Sequence, residues 1–227
     1  MRVFTIYRCL KGFTLVEMAI VLMIAGLLMA AFLTPLQAQM QQNRINEARN
    51  DITEIKEALL GFVSVNLSLP CPDTTGDGIA DACILPIDNV TSTGGNVPWV
   101  TLGTKPTDPW NRRYQYRVNN AFTIPLTLAT NATANNLRVC TSFNCVASDA
   151  NSVPAVVYSS GANGGVQPPL GADELENTVV AGATFNSIFV NHEFAQAAAV
   201  NGEFDDVVDW ISANVLLGRM VAAGQLP

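Results

Sequence analysis

The stretch that decides the fold is KGFTLVEMAIVLMIAGLLMAAFLTPL, residues 11–36. From Met18 to Leu33 it has no charged or hydrogen-bonding side chain, and Glu17 stands just before this run. As a helix, residues 13–36 extend about 36 Å, enough to cross a hydrocarbon core of about 30 Å. A carboxylate inside a bilayer costs roughly 2.5–3.5 kcal/mol on insertion scales and is by default a functional residue. The sequence therefore predicts a membrane helix in which Glu17 needs a cationic partner.

Charge is distributed unevenly about this helix. Residues 1–12 contain Arg2, Arg8 and Lys11 and no acid, whereas the whole chain has 12 basic and 19 acidic residues. A basic flank before an apolar span keeps that end in the cytoplasm and sends the rest across the membrane. The acidic remainder argues against nucleic-acid binding.

Four cysteines follow the span in two close pairs. Cysteines beyond a membrane span suggest disulfides in an oxidising compartment, and four of them allow three connectivities. Pairing Cys71 with Cys83 and Cys140 with Cys145 is the simplest of the three. Four reduced, buried thiols are the alternative.

The helix is predicted to continue beyond the membrane as an amphipathic helix that ends near residue 67. Its apolar residues recur at steps of three and four and form one stripe, with four acids off it. The stripe consists of Ile45, Ala48, Ile52, Ile55, Leu59 and Phe62, and the acids are Glu47, Asp51, Glu54 and Glu57.

Short β-type runs separated by turn signals follow Leu69-Pro70. Together with the helix they predict an α+β fold, in which a long N-terminal helix packs on a small antiparallel β-sheet head. A closing helix is predicted over 212–223, with Ser212 as its N-cap and Gly224 at its end. The runs are WVTL (99–102), RYQYRV (113–118), LRVCT (137–141), AVVYSS (155–160), FNSIFV (185–190) and DVVDWI (206–211), and Gly94-Gly95-Asn96 is read as a turn.

A glycine followed by Phe-Thr-Leu-Val-Glu and an apolar helix resembles the class III signal of type IV pilins and type II secretion pseudopilins. The resemblance implies that a prepilin peptidase cuts between Gly12 and Phe13 and methylates the new terminus. The freed α-amine has an unperturbed pKa near 8, so it is largely cationic, and it lies about 6 Å along the helix from Glu17. The resemblance further implies that Glu17 pairs with the amine of a neighbouring subunit and sets the register of assembly.

Two other segments are similar to this family. DPWNRRYQYRV (108–118) is similar to the Asp-Pro-Trp-Gly segment of major pseudopilins, with Asn111 where glycine is usual, and FDDVVDWIS (204–212) resembles their C-terminal ending. The family implies a pilin-like fold with a leader over 1–12, a helix over 13–67 and a head over 68–227.

The resemblance implies a structural subunit of a type IV pilus or a type II secretion pseudopilus, minor rather than major. Its expected partners are the prepilin peptidase, other pilin or pseudopilin subunits, the inner-membrane assembly platform and the membrane itself. The N-terminus is then cytoplasmic and the head periplasmic. A signal-anchored periplasmic protein that binds calcium or a partner is the alternative.

The segment CPDTTGDGIADAC (71–83) resembles the start of an EF-hand-type calcium loop, which offers oxygens from alternating positions. Thr75 replaces a carboxylate or amide, and Ile84 stands where the bidentate glutamate would be. A turn closed by a disulfide is the alternative. The candidate ligands are Asp73, Thr75, Asp77, Ile79 and Asp81.

A second candidate calcium site follows from the resemblance, because pseudopilins carry one on a Ser-x-Gly-Ala-x-Gly loop with nearby acids. Here the loop reads SSGANGG (159–165), with Asn163 at the usual aspartate, and Asp205 or Asp206 is the candidate acid. An enzyme is not expected, because His192 is the single histidine and no nucleophile or phosphate-binding motif occurs. We predict that His192 lies at the surface or on an edge strand.

Overall fold

The computed structural model describes residues 12–83, 92–127, 130, 137–164, 171–178, 187–195 and 202–226, without the side chains of 30–38. Most of the predicted leader, residues 1–11, lies outside the described residues, as does Ile84. The chain divides into two compact units, Met1–Asn43 and Arg44–Pro227. Helix α1, Leu15–Asn66, contributes residues to both units.

The second unit contains two sheets. Strands β1, β2, β5 and β7 form a four-stranded antiparallel sheet in the order β1-β2-β5-β7. Strands β4, β3 and β6 form a three-stranded sheet, in which β3 pairs antiparallel with β4 and parallel with β6. The strands are β1 (Ser92–Asn96), β2 (Gln115–Asn119), β3 (Leu137–Cys140), β4 (Ser148–Val153), β5 (Ala155–Ser159), β6 (Ile188–Val190) and β7 (Val207–Ile211).

Three short helices accompany these strands among the described residues. They are α2 (Trp99–Leu102), α3 (Ala172–Asn177) and α4 (Ala213–Ala222), and a 3-10 turn spans Asn120–Phe122. The predicted α+β, pilin-like fold is thus confirmed. The parallel β3–β6 pair is a departure from the purely antiparallel sheet that we predicted.

The apolar stripe of α1 forms part of the main hydrophobic core with residues of the four-stranded sheet. Five of its six predicted members are buried, but Phe62 is only half-buried, and Val63 is buried instead. A step of four from Leu59 keeps Val63 on the same face of the helix, whereas the predicted step of three leads to its edge. Each fully buried Leu or Ile side chain stabilises the fold by about 1.5–3 kcal/mol.

Asp51, predicted to lie off the apolar stripe, is only 6% exposed. Its carboxylate accepts hydrogen bonds from Lys105 Nζ at 2.6 Å and from the Tyr114 hydroxyl at 3.0 Å. Burial and the nearby negative charge of Asp51 raise the pKa of Tyr114, so its hydroxyl stays protonated and donates. These contacts join the second half of α1 to the chain that enters β2.

The sequence interpretation was wrong at two segments of the head. WVTL forms helix α2 rather than a strand, and Gly103 closes it in a left-handed conformation at φ 70°. Gly94 and Gly95, read as a turn, belong to strand β1. A Cβ at Gly94 would lie 2.7 Å from the guanidinium carbon of Arg117, and one at Gly95 would lie 2.6 Å from the carbonyl oxygen of Asp73. The two glycines thus serve close packing rather than chain reversal.

The closing helix and the two disulfides form as the sequence predicts. Ser212 caps α4 by accepting the N–H of Val215 at 3.3 Å, and Arg219 pairs with Glu57 of α1 at 2.9 Å. The structure contains both disulfides, Cys71–Cys83 and Cys140–Cys145.

Candidate metal centre

The Asp-Pro-Trp segment supports the loop that follows β5. Asp108 is buried, and its Oδ1 accepts the N–H groups of Trp110 at 3.0 Å and Arg112 at 2.9 Å. Its Oδ2 accepts the hydroxyl of Ser159 at 2.5 Å, while the Arg112 guanidinium donates to the Ala162 carbonyl at 2.7 Å. The tight turn places Asn111 at φ 65°, a conformation that glycine or asparagine adopts at low cost.

Three buried carboxylates converge beside this loop. Glu174 comes from α3, whereas Asp205 and Asp206 immediately precede β7, which pairs with β5. One oxygen from each lies within 4.8 Å of the other two. This is the group of potential metal ligands that the described residues contain, and it includes Asp205 and Asp206, the two acids that the resemblance offered as alternatives.

Backbone and amide donors hold one side of this acidic cluster, Glu174, Asp205 and Asp206. Asp205 Oδ2 accepts the N–H of Ala162 at 2.7 Å and the N–H of Asn163 at 3.1 Å. Glu174 accepts the N–H of Asp205 at 2.9 Å and both oxygens accept from the Asn163 amide, at 2.9 and 2.8 Å. Asn163 thus orients Glu174.

The other side of the cluster is left without donors. Asp205 Oδ1 and Asp206 Oδ1 are buried, and neither has a hydrogen-bond partner. Burial raises the pKa of Asp205 to about 6, with Glu174 adding to the shift and the N–H of Asn163 opposing it. Burial also raises the pKa of Asp206 well above its usual range. Because a buried, unpaired carboxylate is costly, these oxygens need either protons or a cation.

The donor set fits a hard divalent cation. Calcium binds carboxylate, carbonyl and amide oxygens, and the cluster offers carboxylate oxygens from three side chains. Gly161 adopts φ 57°, and a Cβ there would collide with the carboxylate of Asp205. The loop must therefore carry glycine at this position for its backbone to approach the cluster closely.

Comparison with known proteins identifies the family. Residues 8–33 match the model of the prokaryotic N-terminal methylation motif, and residues 36–131 match that of type II secretion system protein G. The chain is 30% identical over 106 residues to the type II secretion system core protein G of Pseudomonas aeruginosa, covering 47% of this chain and 72% of that protein. The chain belongs to the type II secretion protein G family. It is a structural pseudopilin, which confirms the resemblance and selects the pseudopilus over the pilus.

Neither a solved structure nor the protein G model includes the residues of the acidic cluster. No solved structure matches this pseudopilin. The protein G model ends at residue 131, before the loop after β5, α3 and β7. In this pseudopilin, the buried, unpartnered oxygens of Asp205 and Asp206 are what point to a metal centre.

The predicted calcium loop at 73–81 is arranged differently. Asp73 accepts the N–H groups of Gly76 at 2.6 Å and Gly78 at 3.1 Å, and Asp81 accepts that of Thr74 at 2.6 Å. Asp77 accepts the N–H of Ile79 at 2.8 Å. The three acids thus bind the backbone of their own loop. Within the described part of the chain, they are not brought together as a group of potential ligands.

This loop also contacts helix α2. The Gly78 carbonyl accepts the N–H of Val100 at 2.9 Å, and a Cβ at Gly78 would strike the indole ring of Trp99. Thr75 uses its hydroxyl to donate to Asp73 at 3.3 Å. The Cys71–Cys83 disulfide closes the same loop. Its carboxylates already act as acceptors that shape the turn, which favours the structural interpretation of the segment.

The processing segment has a local feature that our sequence interpretation missed. Thr14 and Glu17 form a capping box at the start of α1: the Thr14 hydroxyl accepts the N–H of Glu17 at 3.2 Å, and the Glu17 carboxylate accepts that of Thr14 at 3.4 Å. The signal was the Thr-x-x-Glu spacing itself. Gly12 and Phe13 are exposed next to it. Over the described residues, no helix combines the length and the apolar character needed to cross a membrane.

His192 follows strand β6 and is partly buried. Its Nε2 lies 3.2 Å from Asp173 Oδ2, its Nδ1 lies 2.7 Å from the Glu193 carbonyl, and its ring stacks on Phe204 at 3.8 Å. Sequence reasoning also missed Glu174, whose segment GADELEN carries no motif that distinguishes it from a solvated acidic stretch. Its role appears only when α3 brings it to Asp205.

Proposed function

We propose that this pseudopilin is processed and assembled as a subunit of a type II secretion pseudopilus. The prepilin peptidase cuts between Gly12 and Phe13 and methylates Phe13, and the mature chain joins other pseudopilin subunits on the inner-membrane assembly platform. The observation that carries the proposal is the methylation motif at 8–33, which runs directly into a protein G segment at 36–131. The role is structural rather than enzymatic, and the subunit is minor rather than major.

The proposed topology places the N-terminus in the cytoplasm and the head in the periplasm. The family implies a membrane-associated, periplasmic assembly, and the basic residues of the leader support a cytoplasmic N-terminus. Two disulfides in the second unit fit an oxidising periplasm. We accordingly assign 1–12 to the leader, 13–36 to the membrane and assembly part of a helix that ends at 67, and 68–227 to the head.

The cofactor that we propose is calcium, bound at the acidic cluster. Glu174, Asp205 and Asp206 would hold it, and its charge would replace the protons that the buried oxygens otherwise need. Asn163 orients Glu174, and the backbone of the Gly161 loop orients Asp205. A bound cation would thereby stabilise the junction between the loop after β5, α3 and the start of β7.

Glu17 sets the register of assembly in this proposal. Replacing it by alanine should leave cleavage intact but lower the fraction of the protein recovered in pseudopili by about fivefold, because roughly 1 kcal/mol of charge pairing with a neighbour's terminal amine is lost. The measurement is quantitative immunoblotting of sheared pseudopili and membranes. Glu54→Ala removes an exposed acid from the same helix and should assemble normally.

The capping box supplies a competing explanation, and a second variant separates the two. Glu17→Gln keeps a side chain that can cap the helix but removes the charge. Charge pairing predicts that Glu17→Gln assembles as poorly as Glu17→Ala. Normal assembly of Glu17→Gln would contradict the pairing role and leave Glu17 with a capping function alone.

A further inference from the structure

Helix α3, which carries Glu174, is held at its start by the loop between β3 and β4 and at its end by strand β6. At its start, Asp173 Oδ1 accepts the N–H of Phe143 at 2.7 Å. At its end, Asn177 pairs with the backbone of Val190 in β6, donating to the carbonyl at 3.0 Å and accepting the N–H at 2.7 Å. The Asn177 amide also donates to Asp206 Oδ2 at 2.8 Å. The acidic cluster is therefore oriented by the three-stranded sheet and by the loop between β3 and β4.

The Cys140–Cys145 disulfide lies within this support. Phe143, whose N–H reaches Asp173, is in the short loop that the disulfide closes. Cys140 ends β3 directly opposite Val190, and its carbonyl accepts the N–H of Asn191 at 2.9 Å. Within the loop, the N–H of Cys145 donates to the backbone carbonyl of Ser142 at 2.9 Å. The disulfide thus joins two supports of α3. One is the loop of Phe143, which contacts the start of the helix, and the other is strand β3, which pairs with the strand β6 that contacts its end.

Asp173 is buried, with 2% of its surface exposed, and it immediately precedes Glu174. A displacement of the loop would move Asp173. Glu174 would be displaced as well, because it is the next residue of the same helix. Groups that orient a metal ligand without touching the metal commonly change affinity by 10–100-fold. The Phe143 N–H acts one step further out, because it holds Asp173, the residue before Glu174, and the disulfide closes the loop that contains Phe143.

We propose that the Cys140–Cys145 disulfide is a determinant of cation affinity, because it positions Asp173 and through it Glu174. The inference rests on the proposed calcium centre and extends it: the head binds calcium tightly only after this disulfide has formed. Loading is thereby confined to an oxidising compartment, although neither cysteine is a ligand.

The test is calorimetric titration of the full chain in detergent with calcium. The double variant Cys140→Ser/Cys145→Ser should bind at least about tenfold more weakly than the wild type. The matched control, Cys71→Ser/Cys83→Ser, removes the other disulfide, whose loop contacts α2, and should bind within about twofold of the wild type. Equal affinity of the Cys140→Ser/Cys145→Ser protein and the wild type would overturn the inference.

Two variants of Asp173 test the positioning step with the disulfide intact, so a misfolded cysteine variant does not decide the matter. Asp173→Ala removes the acceptor for the Phe143 N–H and should lose about tenfold in affinity. Asp173→Asn keeps an acceptor oxygen and should restore most of it. Loss of affinity in Asp173→Asn as large as in Asp173→Ala would point to charge alone and contradict the positioning role. A wild-type chain that binds no calcium would instead refute the metal centre itself.

Discussion

Calcium at about a hundred times its dissociation constant should raise the thermal midpoint of the full chain in detergent by about 5–10 °C. Binding to the folded state alone at this excess stabilises by about 2.7 kcal/mol, and in a domain of this size each kcal/mol shifts the midpoint by about 2–4 °C. The physical source is the pair of buried oxygens, Asp205 Oδ1 and Asp206 Oδ1, that have no hydrogen-bond partner. Differential scanning calorimetry with calcium and with a chelator measures the shift.

Glu174→Gln should abolish most of this shift. The substitution keeps the shape and hydrogen-bonding capacity of the side chain but removes one of three negative charges from the cluster. Glu176→Gln is the matched control, because it alters an acid on the same short helix that is not among the three converging carboxylates. A wild-type midpoint that stays constant at millimolar calcium would contradict the metal centre. A full shift in Glu174→Gln would place the ion elsewhere.

The cation-free protein should become less stable as the pH rises through about 6. Because burial raises the pKa of Asp205 from 3.8 to about 6, the folded chain keeps a proton that the unfolded chain releases near pH 4. The protonated Asp205 carboxyl thereby adds on the order of 3 kcal/mol to the free energy of unfolding; this stabilisation is fully present below about pH 4 and is lost as the pH passes about 6. The raised pKa of Asp206 extends the loss to higher pH.

Urea unfolding in chelator between pH 4 and 8 measures this dependence, and Asp205→Asn isolates it from other titrating groups. The variant has no carboxyl group at this position, so the difference in unfolding free energy between wild type and variant should fall with rising pH. Calcium should flatten the wild-type profile, because it takes the place of the protons. A difference that grows in favour of the wild type between pH 4 and 7 without calcium would refute the assignment.

The sequence was a good guide where periodicity or a cap determines structure. The α1 stripe, the Ser212 cap and the β-type runs at β2, β5 and β7 follow from local patterns, and the structure has them. It failed where tertiary contacts override local preference. Gly94 pairs with Arg117 across β1 and β2, and the Arg117 side chain leaves no room for a Cβ there; no local pattern of the residues around a glycine reveals such a distant neighbour.

The candidate centre was only partly predictable for the same reason. Asp205 and Asp206 could be named because they lie in a motif, whereas Glu174 reaches them from a separate short helix 31 residues away along the chain. Asp73 and Asp81 have calcium-like spacing, yet their oxygens accept N–H groups of their own loop. Spacing alone does not tell an acid that binds a cation from one that shapes a turn.

Processing of the chain into a pseudopilus subunit is tested most directly by mass spectrometry of its mature N-terminus. The protein is isolated from membranes of strains with and without the prepilin peptidase. We predict a chain that begins at N-methylated Phe13 in the first strain and at Met1 in the second. A chain that begins at Met1 in both strains would contradict processing, and the signal-anchored periplasmic binding protein would become the better account.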